Sequence, residues 1–300
     1  MAAAVKVLGF GDNVIDRFVD RQVDYPGGNC VNLAVFARQR GADAAYMGVF
    51  GSDAEGAFLR SELAGIGLDI SHSVVRDGET GIAMVEVVDG DRVFLGGNDG
   101  GVTVREPIIL DEADLAYVSG FDLVHSSVYS SAEPELPALA RTGALVSYDL
   151  SSEDHFRSAE YLAGVAAHLD LALLSCSHLT RPQTEQVLRE VVARGARLAL
   201  GTRGASGSIL FDGLQFHHAA AVPLDDARPI ADTMGCGDAL LAAFVCTMLE
   251  HGWRKGVTPP PAAIGAALAA GSAFAAEQCF VDGAFGHGRP YSPVGAAAGE

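Results

Sequence analysis

Two glycines that flank a cysteine, with a carboxylate directly after them, are the most chemically suggestive residues of this chain: Asp232-Thr233-Met234-Gly235-Cys236-Gly237-Asp238. The run that follows, 239–249, is apolar and free of Gly and Pro, so the glycines form a turn that opens a buried helix. Gly235 and Gly237 have no Cβ to keep a ligand away, and the first N–H groups of a helix have no intrahelical acceptor. Such a turn is an anion site. A carboxylate beside it would repel a phosphate held at rest. As a base that prepares a hydroxyl for phosphoryl transfer, Asp238 has a reason to be there. As a helix cap it has another, and this stretch alone supports both readings equally.

Two other turns share the pattern. Pro26-Gly27-Gly28-Asn29 precedes 30–38, where apolar positions 31, 34 and 35 repeat at helical spacing. The paired glycines let main chain come against a ligand, and Asn29 can both donate and accept. Gly201-Thr202-Arg203-Gly204-Ala205-Ser206-Gly207 follows a strand and either leaves room for a nucleotide or simply connects two strands tightly. Near the start, strand 5–8 delivers Gly9-Phe10-Gly11-Asp12-Asn13 to a sheet edge, and Asp12, Asn13 and Asp16 gather in the loop beyond. A dinucleotide fingerprint needs a third glycine at position 14 and a helix there; Val14 and Asp16-Arg17 argue against it. Polar groups at the C-terminal end of a strand suit a ligand's hydroxyls, with a solvated turn as the competing account.

These turns need a scaffold. Strand 44–49, helix 54–64 and strands at 122–125, 144–148, 171–174, 197–200 and 208–211 give the β–α repetition of a parallel sheet. Ser147-Tyr148-Asp149 and Ser175-Cys176-Ser177-His178 end two strands on the ligand-facing edge. The rhythm breaks at Gly81, where 82–88 and 92–95 flank Asp89-Gly90-Asp91 as an antiparallel hairpin. Such an insertion lies outside the main sheet, where it covers a ligand site as a lid or pairs with another subunit. The lid is expected over about 13–27 and 80–101, with the apolar strand 84–88 as the exposed edge of a homodimer. An Ala-rich helix covers 262–278, and the tail 293–300 offers so little to bury that disorder is expected.

Composition narrows the class. Lys and Arg number 20 against 38 Asp and Glu, a net charge of −18 that disfavours nucleic acid and anionic membrane as partners. Five cysteines without a Cys-x-x-Cys pair indicate neither a disulfide framework nor a zinc site, so reduced thiols are expected. The N-terminal residues lack the pattern of a signal peptide and no apolar run reaches about 18 residues, which makes a cytoplasmic location the expectation.

Gly27-Gly28-Asn29 with Asn32 and Ala34, taken together with 232–238, resembles the paired signatures of the ribokinase-like (phosphofructokinase B type) carbohydrate kinases. The resemblance covers nearly the whole chain. It implies one domain over 1–300, an α/β fold of three layers (α/β/α) with a mainly parallel central sheet and a small antiparallel β lid. It also implies transfer of the γ-phosphate of ATP to a sugar hydroxyl with Mg2+, and a monovalent cation such as K+ is a further candidate. Within the family, the stretch from Gly9 to Asp16, Asp91-Arg92-Val93-Phe94 and Asp232-Thr233-Met234-Gly235 are most similar to fructoselysine 6-kinases. That implies a fructosamine acceptor phosphorylated at its 6-hydroxyl.

Carried onto this chain, the resemblance makes Asp238 the base, with Gly235, Cys236 and Gly237 holding the transferring phosphate. Thr202, Gly204 and Gly207 would border ATP together with Asp232 and Thr233. Asp12, Asn13, Asp16, Gly27, Gly28, Asn29 and Asn32 would hold the sugar, joined by Arg92 from the lid. The family's usual Asn-x-x-Glu, which organises magnesium, is replaced by Ser175-Cys176-Ser177-His178, so the sequence assigns no metal ligand. A nucleoside kinase and an inactive sugar-binding relative are the alternatives. A nucleoside base wants an apolar or aromatic clamp, and an inactive relative has no need of Asp238; the Asp12, Asn13, Asp16, Asn29 cluster suits hydroxyls and amines. The negative charge of Asp12 and Asp16 predicts an acceptor that carries an amine rather than a phosphate.

Overall fold

The computed structural model describes residues 4–88, 91–225 and 227–291, with the side chains of Val88, Asp91 and Arg92 outside that description. The first part of the chain forms β1 (Lys6–Gly11), β2 (Val14–Phe18), β3 (Val23–Gly27), α1 (Asn29–Gln39), β4 (Asp43–Gly51) and α2 (Ala54–Ile66). Then come β5 (Val74–Arg76), β6 (Ile82–Val88), β7 (Asp91–Gly97), α3 (Gly101–Arg105), α4 (Glu112–Val118), β8 (Leu123–Ser127), α5 (Leu136–Leu139) and β9 (Leu145–Asp149). The remainder gives α6 (Ala159–Val165), β10 (Leu171–Ser175), α7 (Arg181–Ala193), β11 (Leu198–Thr202), β12 (Ser208–Phe211), β13 (Phe216–Ala219), α8 (Cys236–Glu250), α9 (Pro261–Gln278) and β14 (Arg289–Pro290).

A nine-stranded sheet runs in the order β13-β12-β11-β10-β9-β8-β1-β4-β5, parallel from β5 to β11 and antiparallel at the β12 and β13 edge. Its strands read as continuous apolar runs because both faces are covered. Leu171 and Leu173 face a core cluster that also takes in Leu33 of α1, Leu59 of α2, Phe244 of α8 and Ile264 of α9. Ala172 and Leu174 face the opposite cluster, which takes in Val102 of α3, Val118 of α4, Leu136 of α5, Leu162 of α6 and Leu188 of α7. Period-two alternation thus separates two helical layers, and the expected α/β/α arrangement forms. Helix α8 is buried from Asp238 to Leu249, as a helix that is apolar all round must be. No helix among the described residues is long and apolar enough to cross a membrane.

A second sheet of five strands has the order β14-β3-β2-β6-β7 and is antiparallel except for the β2–β6 pair. Two expectations change here. Asp16 lies within β2 rather than in a loop, because β2 is held on both sides by β3 and β6. The open edge is β7, not strand 84–88, because β6 is paired on both of its sides. Val87 packs on the core while Val93, Phe94 and Leu95 are exposed, Phe94 by 61%. The turn residues 89 and 90 and the tail 293–300 lie outside the described residues. Strands β5, β13 and β14 were not legible in the sequence; each is short and exists through pairing with a neighbour.

One ion pair ties the two sheets' supports together. Asp24 of β3 is fully buried and accepts from Arg17 Nε at 2.7 Å and Nη2 at 2.8 Å, and the same guanidinium reaches Glu55 of α2 at 3.1 Å. Removing one partner of a buried pair leaves an uncompensated charge, a loss of roughly 3–5 kcal/mol. Arg289, 3.6 Å from Asp24, offsets part of it. Arg17→Met should therefore lose about 3 kcal/mol in denaturant unfolding, and adding Asp24→Leu should recover much of that. A loss within experimental error would mean that Arg289 alone neutralises Asp24.

Candidate active site

The chain leaves β1 toward β4 on one side and reaches β8 on the other, so the C-terminal ends of β1 and β8 form the switch point where open α/β sheets bind ligands. Asp12 sits there, only 4% exposed. Its Oδ2 accepts from the backbone N–H of Asn29 at 2.6 Å, and its Oδ1 accepts from the hydroxyls of Ser127 at 2.8 Å and Ser130 at 2.9 Å. The expected ligand-facing carboxylate is thus a fastener between the start of α1 and the end of β8. Asn13 turns fully into the core, where Nδ2 donates to Tyr46 Oη and the Val49 carbonyl, both at 2.7 Å. These two bonds anchor the corner between β1 and β2.

The paired glycines also have a local cause. A Cβ on Gly27 would come within 2.1 Å of Asp16 Oδ2, and one on Gly28, at φ +108°, would come 2.8 Å from Asn13 Cα. Their absence lets the 12–16 segment close onto the start of α1, so the close approach made here is by the chain's own residues. Asp16 is 4% exposed.

Asn29 and Asn32 lie three residues apart and share a face of α1. Asn29 Nδ2 donates to Asp149 Oδ2 at 2.8 Å. Asn32 Nδ2 donates to Asp238 Oδ2 at 2.8 Å across 206 residues of sequence. The first turn of α1 is therefore a floor with Asp149 at one end and Asp238 at the other. Asn32 Oδ1 is buried without a hydrogen-bond partner. An acceptor left in that state is destabilising by about 1–3 kcal/mol, which a ligand hydroxyl would relieve.

Asp238 is not the cap of α8. That position belongs to Gly235, at φ +70°, and carries no side-chain bond, while Asp238 stands in the first turn with its carboxylate on Asn32. A Cβ on Gly235 would come 2.9 Å from Ala284 Cβ, whereas one on Gly237 would meet nothing within 4 Å. Packing below and open space above are what an anion seat on first-turn N–H groups requires. Asp232 is buried and shapes this turn by accepting from the Met234 N–H at 2.8 Å, and the Thr233 carbonyl accepts from the Cys236 N–H at 3.4 Å.

Thr202 ends β11, and Gly204 follows at φ +54°. Gly207 owes its identity to the sheet, since a Cβ there would lie 2.0 Å from the Ala219 carbonyl oxygen of β13. The tight-connection reading explains that glycine. At Ser175-Cys176-Ser177-His178, Arg157 donates to the Ser175 carbonyl and lies 3.2 Å from His178 Nε2, so a cation stands close to the segment where the resemblance expects a carboxylate. Among the described residues no group of three His, Cys, Asp or Glu could hold a metal ion. The Arg92 side chain lies outside the described residues.

The family model described as pfkB family carbohydrate kinase matches residues 6–285. The chain belongs to that family. A fructosamine kinase FrlD from Bacillus subtilis (strain 168) is 34% identical, with 96% of this chain and 95% of that protein covered. A fructoselysine 6-kinase from Escherichia coli (strain K12) is 35% identical, covering 92% and 97%. Among solved structures, a fructokinase from Xylella fastidiosa with bound ATP has a TM-score of 0.74 at 20% identity, covering 94% and 95%, which shows a shared fold. Membership of the pfkB carbohydrate kinases implies ATP and a divalent cation. The open turn at Gly235–Gly237 fits phosphate, and its own carboxylates, Asp232 and Asp238, are the groups that would face a cation bound with it.

Asp149 is the site residue that the sequence marked only by position, as the polar end of a strand. Burial pushes its carboxyl up to about 7 against the pull of the Ser151 N–H, and the negative charge of Asp12 adds to the rise. Beside it, the half-exposed Tyr129 donates to Glu153 at 2.9 Å and shares a 2.6 Å hydrogen bond with Ser151, a contact that no motif announced. Because Asp149 holds its proton more tightly folded than unfolded, its stabilising contribution is complete below the ordinary carboxylate value of about 4 and is lost as pH rises through about 7. Asp149→Asn has no proton to lose. The difference in Tm, variant minus wild type, should grow more positive from about pH 5 to about pH 8; a flat difference would show that Asp149 titrates like an exposed carboxyl.

Proposed function

We propose that this pfkB kinase transfers the γ-phosphate of ATP to the 6-hydroxyl of a fructosamine such as fructoselysine, with Asp238 as general base. The observation that carries the reading is the Asn32–Asp238 pair with its unpartnered Asn32 Oδ1. An acceptor hydroxyl between them donates to one of the two oxygens while Asp238 takes its proton in the transfer. The N–H groups of Gly235, Cys236 and Gly237, at the positive end of α8, take up charge on the transferring phosphate. Thr202, Gly204, Asp232 and Thr233 border the nucleotide. Magnesium bound with ATP supplies charge neutralisation of the phosphates, and potassium is proposed as a monovalent partner.

The amine of the acceptor lies toward Asp149 and Asn29, at the other end of the α1 floor. A protonated secondary amine restores the charge of a carboxylate that burial has made half-neutral, and a sugar phosphate would meet Asp12, Asp16 and Asp149 as like charges. The two fructosamine-acting relatives support the same acceptor class. The five-stranded sheet is proposed as the lid, with Gly27, Gly28 and Asp16 at its junction with the site. The exposed Met84, Val93, Phe94 and Leu95 beside the open β7 edge support a homodimer formed through it.

Asp238→Asn should lower kcat by about 10²- to 10⁴-fold while the Kd for ATP and Tm change little. Near-normal turnover in that variant would remove the base mechanism. For wild type, kcat/KM should be higher for fructoselysine than for fructose, ribose or fructose 6-phosphate; the reverse order rejects the fructosamine assignment. Phe94→Asp should convert a sedimenting dimer to a monomer and raise KM for the acceptor, and a wild type that sediments as a monomer at micromolar concentration would end the dimer proposal.

A further inference from the structure

Two thiols meet where α8 begins. Cys236 is the first residue of α8, inside the phosphate-binding turn, and Cys279 is the C-cap of α9. Their Sγ atoms are 3.4 Å apart and both residues are half-buried. The other three cysteines, Cys30, Cys176 and Cys246, are buried, and burial pushes each of their thiols up, Cys176 to about 11 and Cys246 to about 12. Cys236 and Cys279 are instead partly open to solvent and within reach of each other.

We propose that Cys236 and Cys279 form a dithiol modification site, oxidised to an intramolecular disulfide by a low-molecular-weight disulfide such as glutathione disulfide, and that this cross-link closes the phosphate-binding turn. The Cys279 thiolate attacks one sulfur of the small disulfide, and one small thiolate leaves. The Cys236 thiolate then attacks Cys279 Sγ in the mixed disulfide and expels the second. Two cysteine thiols lose two electrons and two protons; the small disulfide gains both and becomes two thiols.

The geometry favours both halves. An S–S bond is about 2.05 Å long, so the sulfurs need to close by little more than about 1 Å. Cys279 already backs the segment entering the turn, since its carbonyl accepts from the N–H of Ala231 at 3.0 Å and of Asp232 at 3.4 Å. A disulfide would add a covalent tie at Cys236 and hold the turn from both ends against α9. Between these ties Gly235 is in the left-handed conformation and packed on Ala284, so there is little freedom to absorb the pull without moving the N–H groups. A misplacement of about 1 Å in such a seat lowers turnover by about 100-fold.

The loss of turnover rests on the kinase reading of the turn; formation of the cross-link does not. The reduced full chain is incubated with glutathione disulfide, quenched by alkylation and digested for mass spectrometry, with turnover and calorimetric ATP affinity measured in parallel. The expected result is a linked pair of peptides carrying Cys236 and Cys279, lighter by two hydrogens. Turnover falls by about 100-fold, ATP binds more weakly, and dithiothreitol restores both. Cys279→Ser should keep its turnover before and after oxidation. Absence of the 236–279 link overturns the proposal, and so does inactivation of Cys279→Ser equal to that of wild type. A link that forms while turnover and ATP affinity stay unchanged overturns the closing of the turn and leaves the kinase reading standing.

Discussion

The hydrogen bond between Asn32 and Asp238 joins the starts of two helices, and the geometry of the site depends on it. Each helix presents first-turn N–H groups, and each is entered through glycine because something must come close: the 12–16 segment at Gly27 and Gly28, Ala284 at Gly235. Asp12 holds α1 in place by accepting from the Asn29 N–H and from hydroxyls of Ser127 and Ser130. The base and the acceptor floor are therefore positioned by backbone donors and short side chains, which have few rotamers to lose.

The buried carboxylates divide by partner. Asp24 is matched by Arg17, and Asp170 by Lys255 at 2.8 Å and Arg197 at 3.3 Å; both are cations of the scaffold. The hydrogen bonds to Asp12 and Asp149 come instead from N–H groups, hydroxyls and a carboxamide. Neutral donors satisfy a carboxylate's lone pairs without cancelling its charge, so the switch point keeps a negative field for a cationic acceptor or a metal-bound nucleotide. Asp149, pushed up to about 7 even with the positive charge of Arg157 nearby, shows how far burial has gone toward making that charge unfavourable.

Much of the fold was legible because it is local. The alternation at 171–174 sorts side chains to two faces, the apolar run 239–249 can only be an enclosed helix, and Gly41 follows α1 in the left-handed conformation. The glycine turns at 27–28 and 235–237 and the hairpin beginning at Ile82 were likewise readable from residue types at fixed spacing, and they named Asn29 and Asp238, while Asn32 came from the family resemblance. What could not be read there was the partner of each group. Asp12 was expected to face a ligand and is enclosed by hydroxyls some 115–118 residues away. Asn13 was expected beside it and points instead to Tyr46 and Val49.

Sequence by itself determined most of the longer elements, the two helix-opening anion turns and the carboxylate in one of them, because propensity, period and glycine's missing Cβ act within a few residues. Tertiary structure alone decided that Asp238 faces Asn32 rather than capping α8, that Asp149 joins the floor, that β7 is the open edge and that Cys236 meets Cys279. Those facts depend on strand order and helix docking, which bring together residues tens to hundreds of positions apart, and nothing in the local pattern of either partner encodes the other.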